Sequence, residues 1–183
     1  VKAVILVALI GIIMGVVYTY GFNNLYNLCK LALLPTGYAP VMDMIFSGLW
    51  FMAAPLAMYF VPTVGSGTIG EVLASIVEMA LGGQWGALTV LEGLIQGAAN
   101  EIGFFPKKKR YINFSWASVL TGAFFANLGA YIPQYFLYGW YKYSFNLQVA
   151  MFIAGIVSAL LFDGVLVKLI TNLFDRILKP ELS

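Results

Sequence analysis

Histidine is absent from the 183 residues, cysteine occurs once, and only 10% of the chain is charged. Each scarcity excludes something. A single cysteine, Cys29, permits no intramolecular disulfide and reads as a small apolar filler. Without imidazole the common zinc, nickel and cobalt ligand sets are out of reach, so neither a metal site nor another cofactor is expected. No Ser/His/Asp constellation can exist, and no enzymatic activity is expected. The run Gly65-Ser66-Gly67-Thr68-Ile69-Gly70 lacks both the Gly-Lys-Ser/Thr ending of a phosphate loop and the strand before it. What fills the chain is apolar: 61% of residues are hydrophobic, with a mean hydropathy of +0.88. A soluble domain is about 45–50% apolar and about 25% charged. The excess cannot be hidden in a core of this size, so the solvent is expected to be lipid.

The hydrophobic runs predict an all-α integral membrane protein of one domain, residues 1–183, with six transmembrane helices and no internal repeat. The spans are expected at about 3–20, 38–60, 68–81, 86–105, 114–133 and 147–171. The first is followed by Gly21-Phe22-Asn23-Asn24 rather than a small-residue cleavage site, so it reads as a retained span. The third covers only roughly 21 Å at 1.5 Å per residue, unless it begins earlier, around Val64. Basic residues set the orientation. Lys2, the Lys107-Lys108-Lys109-Arg110 cluster, and Lys168, Arg176 and Lys179 fall on one side, which places both termini in the cytoplasm. The basic cluster reads as a topology-setting anchor, not a nucleic-acid patch. Loops 21–37, 82–85 and 134–146 then face outside. They are rich in Tyr, Trp, Asn and Gln, either as an interfacial belt or as a wall over an outward-facing pocket.

Four carboxylates stand in the most apolar stretch, residues 70–105, with no basic residue among them: Glu71, Glu78, Glu92 and Glu101. Each costs about 2.5–3.5 kcal/mol at membrane depth on insertion scales. Such groups persist when hydrogen-bonded inside, protonated, or matched by a ligand. Glu71 and Glu78 are seven apart and share a face of the third span. Glu92, Gln96 and Asn100, spaced by four, form one stripe on the fourth. The Gly82-Gly83-Gln84-Trp85 turn makes these two spans antiparallel neighbours, so Glu78, Glu92 and Gln96 can converge in the outer half. Asn127 and Tyr131, four apart on the fifth span, belong to the same level. Glu71, Asn100 and Glu101 sit nearer the cytoplasm and read as a structural polar network. Aromatic side chains beside carboxylates suit a flat heteroaromatic cation. The substrate-binding set is therefore expected to be Glu78, Trp85, Glu92, Gln96, Asn127, Tyr131 and Trp50. On the first span, Gly11 and Gly15 form a GxxxG motif within a ridge of small residues. It serves either intrachain packing or docking to a partner subunit.

The pattern of Glu71, Glu78, Gly82, Gly86, Gln96, Gly97, Glu101 and Phe104, with Gly48 and Trp50 in the second span, resembles the YkoE-type substrate-binding subunits (S components) of energy-coupling factor (ECF) vitamin transporters. The resemblance extends over essentially the whole chain and is most specific in the third and fourth spans. It implies a multi-pass protein of the bacterial plasma membrane that binds thiamine or its hydroxymethylpyrimidine (HMP) precursor from outside. It also implies work with an EcfT-type transmembrane coupling protein and two EcfA-type cytoplasmic ATPases, and toppling in the membrane to release substrate. Docking in such subunits uses small residues of the first span, here Ala8, Gly11 and Gly15. Another vitamin such as pyridoxine fits the same chemistry less the fixed charge. Two rivals remain open at this point: a stand-alone proton-coupled transporter, and a non-transporting membrane assembly factor.

Overall fold

Apolar runs punctuated by Gly, Pro and Asn give helices and turns, and among the described residues, 1–178 of a computed structural model, there is no strand. Eight helices carry the fold: α1 (Lys2–Thr36), α2 (Val41–Ile45), α3 (Ser47–Phe60), α4 (Ser66–Ala80), α5 (Leu88–Glu101), α6 (Lys108–Asn113), α7 (Trp116–Leu137) and α8 (Phe145–Ile177). Helices thus cover the body of each stretch read as a span, with α2 and α3 sharing the second. By length and composition, α1 and α8 can each cross a membrane. Their outward faces expose Ile5, Leu9, Ile12 and Ile13 on α1 and Ile153, Val157 and Leu161 on α8. In water these would be extended apolar patches. Lys179, counted among the terminal basic residues, lies outside the described residues.

The largest departure from the sequence expectation is at 21–37. This stretch is not a loop, because α1 runs unbroken through it to Thr36. At 1.5 Å per residue α1 is about 52 Å long, well beyond a ~30 Å hydrocarbon core. A π-helical turn over Val17–Phe22 sits in its middle, and past it the helix turns amphipathic. Tyr18, Asn23 and Tyr26 are buried on its inner face, with Lys30 half-buried one turn further. The wider π-turn is what lets residues five apart, Tyr18 and Asn23, look the same way. The loop expected at 134–146 is also shorter, since α7 continues past Pro133 to Leu137.

α4 is the central strut. Although only 15 residues long, it is packed by α1, α3 and α5. A Cβ on Gly11 would lie 2.6 Å from Cβ of Leu73, and one on Gly15 would lie 2.6 Å from the Ala74 carbonyl oxygen. The GxxxG pair of α1 is therefore spent on α4 of the same chain. This corrects the assignment of Gly11 and Gly15 to partner docking, because the close approach such residues permit is already taken. Of the three docking residues only Ala8, half-buried, keeps some exposure.

Two of the acidic residues hold helix starts together. Glu101, at the end of α5, accepts hydrogen bonds from the Gly65 N–H (2.8 Å), the Thr68 N–H (2.9 Å), Thr68 Oγ1 (3.1 Å) and the Tyr111 hydroxyl (3.0 Å). It caps α4, where free N–H groups and the positive end of the helix dipole favour an anion. Burial, then the Glu101 carboxylate, pushes the Tyr111 phenol above its ordinary pKa, so it remains a donor. Glu71 acts likewise on α3, which opens as a 3₁₀ turn over Ser47–Phe51 and becomes α-helical at Ala53. The Ala54 N–H donates to Glu71 (2.9 Å), and the Ala53 N–H donates to the Tyr18 hydroxyl (2.9 Å), which itself donates to Glu71 (3.2 Å). Asn100, third member of the expected network, donates to Asp163 (2.7 Å), a fully buried carboxyl in a π-helical stretch of α8. Asp163 was overlooked because it stands alone in its apolar run.

Candidate ligand-binding site

Between the upper ends of α4 and α5 and the distal part of α1 lies a cavity of about 240 Å³. α4 contributes Glu71, Ser75 and Glu78, and α5 contributes Thr89, Glu92 and Gln96. Trp85 enters from the turn between them, whose Gly82 (φ +86°) and Gly86 (φ +64°) take left-handed conformations that L side chains disfavour. Tyr18 and Lys30 of α1, Asp43 of α2, and Ser47, Trp50 and Phe51 of α3 form the opposite wall. Gln134 of α7 and the segment after it, with Tyr138, Trp140 and Tyr143, close the side.

The acids here are unlike the two that cap helices. Glu78 is buried, and one of its oxygens accepts from Asn23 Nδ2 (2.8 Å); Asn23 in turn accepts from Trp50 Nε1 (3.1 Å). Its other oxygen has no partner among the described residues. Glu92 uses one oxygen for both the Tyr138 hydroxyl (2.7 Å) and Gln134 Nε2 (3.2 Å), leaving its second oxygen without a partner among the described residues. Burial, and after it the Glu92 carboxylate, raises the Tyr138 phenol above its ordinary pKa, so the hydroxyl stays a donor at neutral pH. Gln96 is 7% exposed and makes no side-chain hydrogen bond among the described residues. Buried polar side chains are nearly always paired. One that lines a cavity unpaired, beside two half-used carboxylates, is an open set of donors and acceptors.

Aromatic rings surround this set. Trp50 and Trp85 meet edge to face, with centroids 5.9 Å apart and planes at 79°. Tyr26 packs on both, at 5.3 and 5.6 Å, and Tyr138 lies 6.3 Å from Trp85. Such rings offer π-faces to a flat ligand or to a cation. At the far edge Lys30 Nζ is 2.7 Å from Asp43 Oδ1, and Tyr26 bonds to both. A cation does therefore reach this level, although no basic residue stands within residues 70–105. It comes from the helical extension of α1 and is paired with Asp43 rather than with the glutamates.

Of the residues expected in the site, Glu78, Trp85, Glu92, Gln96 and Trp50 line the cavity together. Asn127 and Tyr131 do not. Asn127 is fully buried behind the wall, and Tyr131 donates to the Gln148 carbonyl (3.1 Å) while its ring backs Trp140. Both were placed by depth along α7, which says nothing of the direction a side chain takes around the axis. Glu71 reaches the cavity as well as capping α3. Missed were Tyr18, Lys30, Asp43, Ser47, Phe51, Ser75 and Thr89. The spacing Asn23, Tyr26, Lys30 is a helical stripe and could have revealed the α1 wall.

Among the described residues no three His, Cys, Asp or Glu side chains gather closely enough to hold a metal ion.

The sequence profile of the family described as "ABC-type cobalt transport system, permease component" matches residues 2–129. A protein of Bacillus subtilis (strain 168) that carries the name HMP/thiamine permease protein YkoE is 25% identical over 172 residues, 94% of this chain and 82% of that one. A solved crystal structure of an S-component of an ECF transporter has the same fold, with a TM-score of 0.84 and 24% identity, over 97% of this chain and 86% of that one.

Proposed function

The chain belongs to the family of ABC-type cobalt transport permease components, a family of transporter subunits and not of enzymes, and from that premise we propose that it is the substrate-binding S component of an ECF transporter, importing a water-soluble vitamin. Thiamine or its HMP precursor is the substrate favoured. The observation that carries this reading is the convergence of Gln96 and the free oxygens of Glu78 and Glu92 inside a cage of Trp50, Trp85 and Tyr138. An aminopyrimidine offers an amino donor beside a ring-nitrogen acceptor, which an amide and a carboxylate complement. A thiazolium supplies the positive charge the carboxylates lack and stacks on the indoles. The likeness to the Bacillus relative, named for the same compounds, supports this choice.

Cobalt is a poor match for these side chains. The chain has no histidine, and its cavity acids already accept hydrogen bonds from Asn23, Gln134 and Tyr138. Late first-row metals favour nitrogen and sulfur ligands.

In this reading six spans cross the bacterial plasma membrane, with both ends and the exposed Lys107–Arg110 cluster in the cytoplasm and the cavity opening outward. An EcfT-type coupling protein and two EcfA-type ATPases complete the importer. With Gly11 and Gly15 packed on α4, a partner would meet Ala8 and the exposed side of α1.

Titration calorimetry on the purified chain tests the proposal with thiamine, HMP, pyridoxine and Co²⁺ as ligands. Saturable binding of thiamine or HMP is expected, with weaker binding of pyridoxine and none of Co²⁺. Tight Co²⁺ binding with no vitamin binding would refute the reading.

A further inference from the structure

Behind the wall formed by Phe51 and Trp140 stands a polar side chain with nothing to bind. Asn127 is fully buried, and among the described residues neither its amide nitrogen nor its amide oxygen has a hydrogen-bond partner. An amide stripped of water at both ends is a standing cost that an apolar residue of the same size would remove. Its position on α7 is fixed by Ala123, Ala126 and Ala130, which pack against Phe51, a residue of the cavity wall.

The side chain that meets Asn127 beside Gly155 is adaptable. A Cβ on Gly155 of α8 would lie 2.4 Å from Asn127 Oδ1 and 2.3 Å from Cε of Met44, so the amide and the thioether end meet over one glycine. Met44 is fully buried and shares a packed cluster with Trp140. It also lies between two cavity residues in sequence, Asp43 and Ser47, the latter donating to its carbonyl (2.8 Å). Methionine is unbranched, and its thioether fills gaps in several rotamers at little cost.

We propose that Met44 is a movable partition and that Asn127 is a binding residue of a second compartment, which opens when Met44 swings off Gly155. The compartment takes a hydroxyalkyl arm of the ring-shaped ligand. A hydroxyl both donates and accepts, and so meets both unmet ends of the amide. This rests on the vitamin-binding reading and extends it to the ligand's substituent.

The test compares HMP with its deoxy analogue, 4-amino-2,5-dimethylpyrimidine, on the wild type and on Asn127→Leu. The wild type should bind HMP at least tenfold more tightly than the analogue. Asn127→Leu should bind the two equally and unfold at the same or a higher temperature. If Asn127→Leu keeps the wild-type ratio, the second compartment is refuted while the vitamin reading stands. If the wild type binds neither compound, the second compartment is refuted, and the thiamine titration alone decides the vitamin reading. Should Asn127→Leu fail to fold, ¹³C-methyl methionine NMR of the wild type decides. HMP should move the Met44 methyl resonance and the analogue should not; a resonance unmoved by HMP overturns the proposal.

Discussion

The two ends of the α4–α5 pair use the same residue type in opposite ways. At the lower end Glu101 is saturated: four donors from three residues converge on its two oxygens. At the upper end, among the described residues, Glu78 holds one donor, Glu92 holds two on a single oxygen, and the Gln96 side chain holds none. A carboxylate whose lone pairs are all met by its own fold has nothing left for a ligand. One left half-met inside a cavity has kept that capacity. Saturation, more than burial or depth, separates acids that build this structure from acids placed to receive something.

The contrast can be broken from either end. The largest effect is expected at the saturated end. Glu101→Ala leaves buried N–H and hydroxyl donors unmet and uncaps α4, so stability should fall by about 2–4 kcal/mol. Denaturant unfolding in detergent reads this, and a loss below about 1 kcal/mol would remove the distinction. Next is Glu78→Ala, which should weaken thiamine binding roughly 100-fold, about 2.7 kcal/mol, without lowering the unfolding midpoint. For uncharged HMP the loss should be smaller, since only a hydrogen bond is removed; calorimetry on both ligands gives the ratio. Gln96→Leu should cost about tenfold in affinity for either ligand and leave the free protein equally or more stable, because an unpaired buried amide is exchanged for an apolar group. If Gln96→Leu destabilises the free protein, then the amide is structural after all. The smallest effect belongs to the half-exposed Lys30–Asp43 pair. Lys30→Met frees Asp43, so thiamine should bind up to about threefold more tightly at low ionic strength, with the gain fading in high salt.

Much of this was legible from spacing. The seven-residue step from Glu71 to Glu78, the four-residue step from Glu92 to Gln96 and the tight turn at Gly82–Trp85 suffice to bring α4 and α5 together with their polar faces inward. Beyond that pair, legibility fails where three-dimensional phase matters. Asn127 sits at the expected level of α7 yet points behind the wall. Gly11 and Gly15 announce a close approach, but spacing does not name the neighbour, which is α4. The α1 extension was hidden by composition, because Asn23, Asn24, Tyr26 and Asn27 resemble loop residues until the stripe through Tyr26 and Lys30 is noticed. Asp43 and Asp163 were missed as isolated acids in apolar surroundings, and an isolated acid carries no periodicity to detect.

The π-turn at Val17–Phe22 gives the chain a residue to spare at that point. It holds one residue more than an ordinary helical turn would. Deleting Thr19 would leave Tyr18 and Asn23 four apart in regular helix, still on one face, so Asn23 would stay on Glu78 and Lys30 on Asp43. Deleting Asn24, in the regular helix just past it, would instead turn Lys30 about 100° away from Asp43. A one-codon deletion should thus be tolerated inside this turn and damaging one residue beyond it.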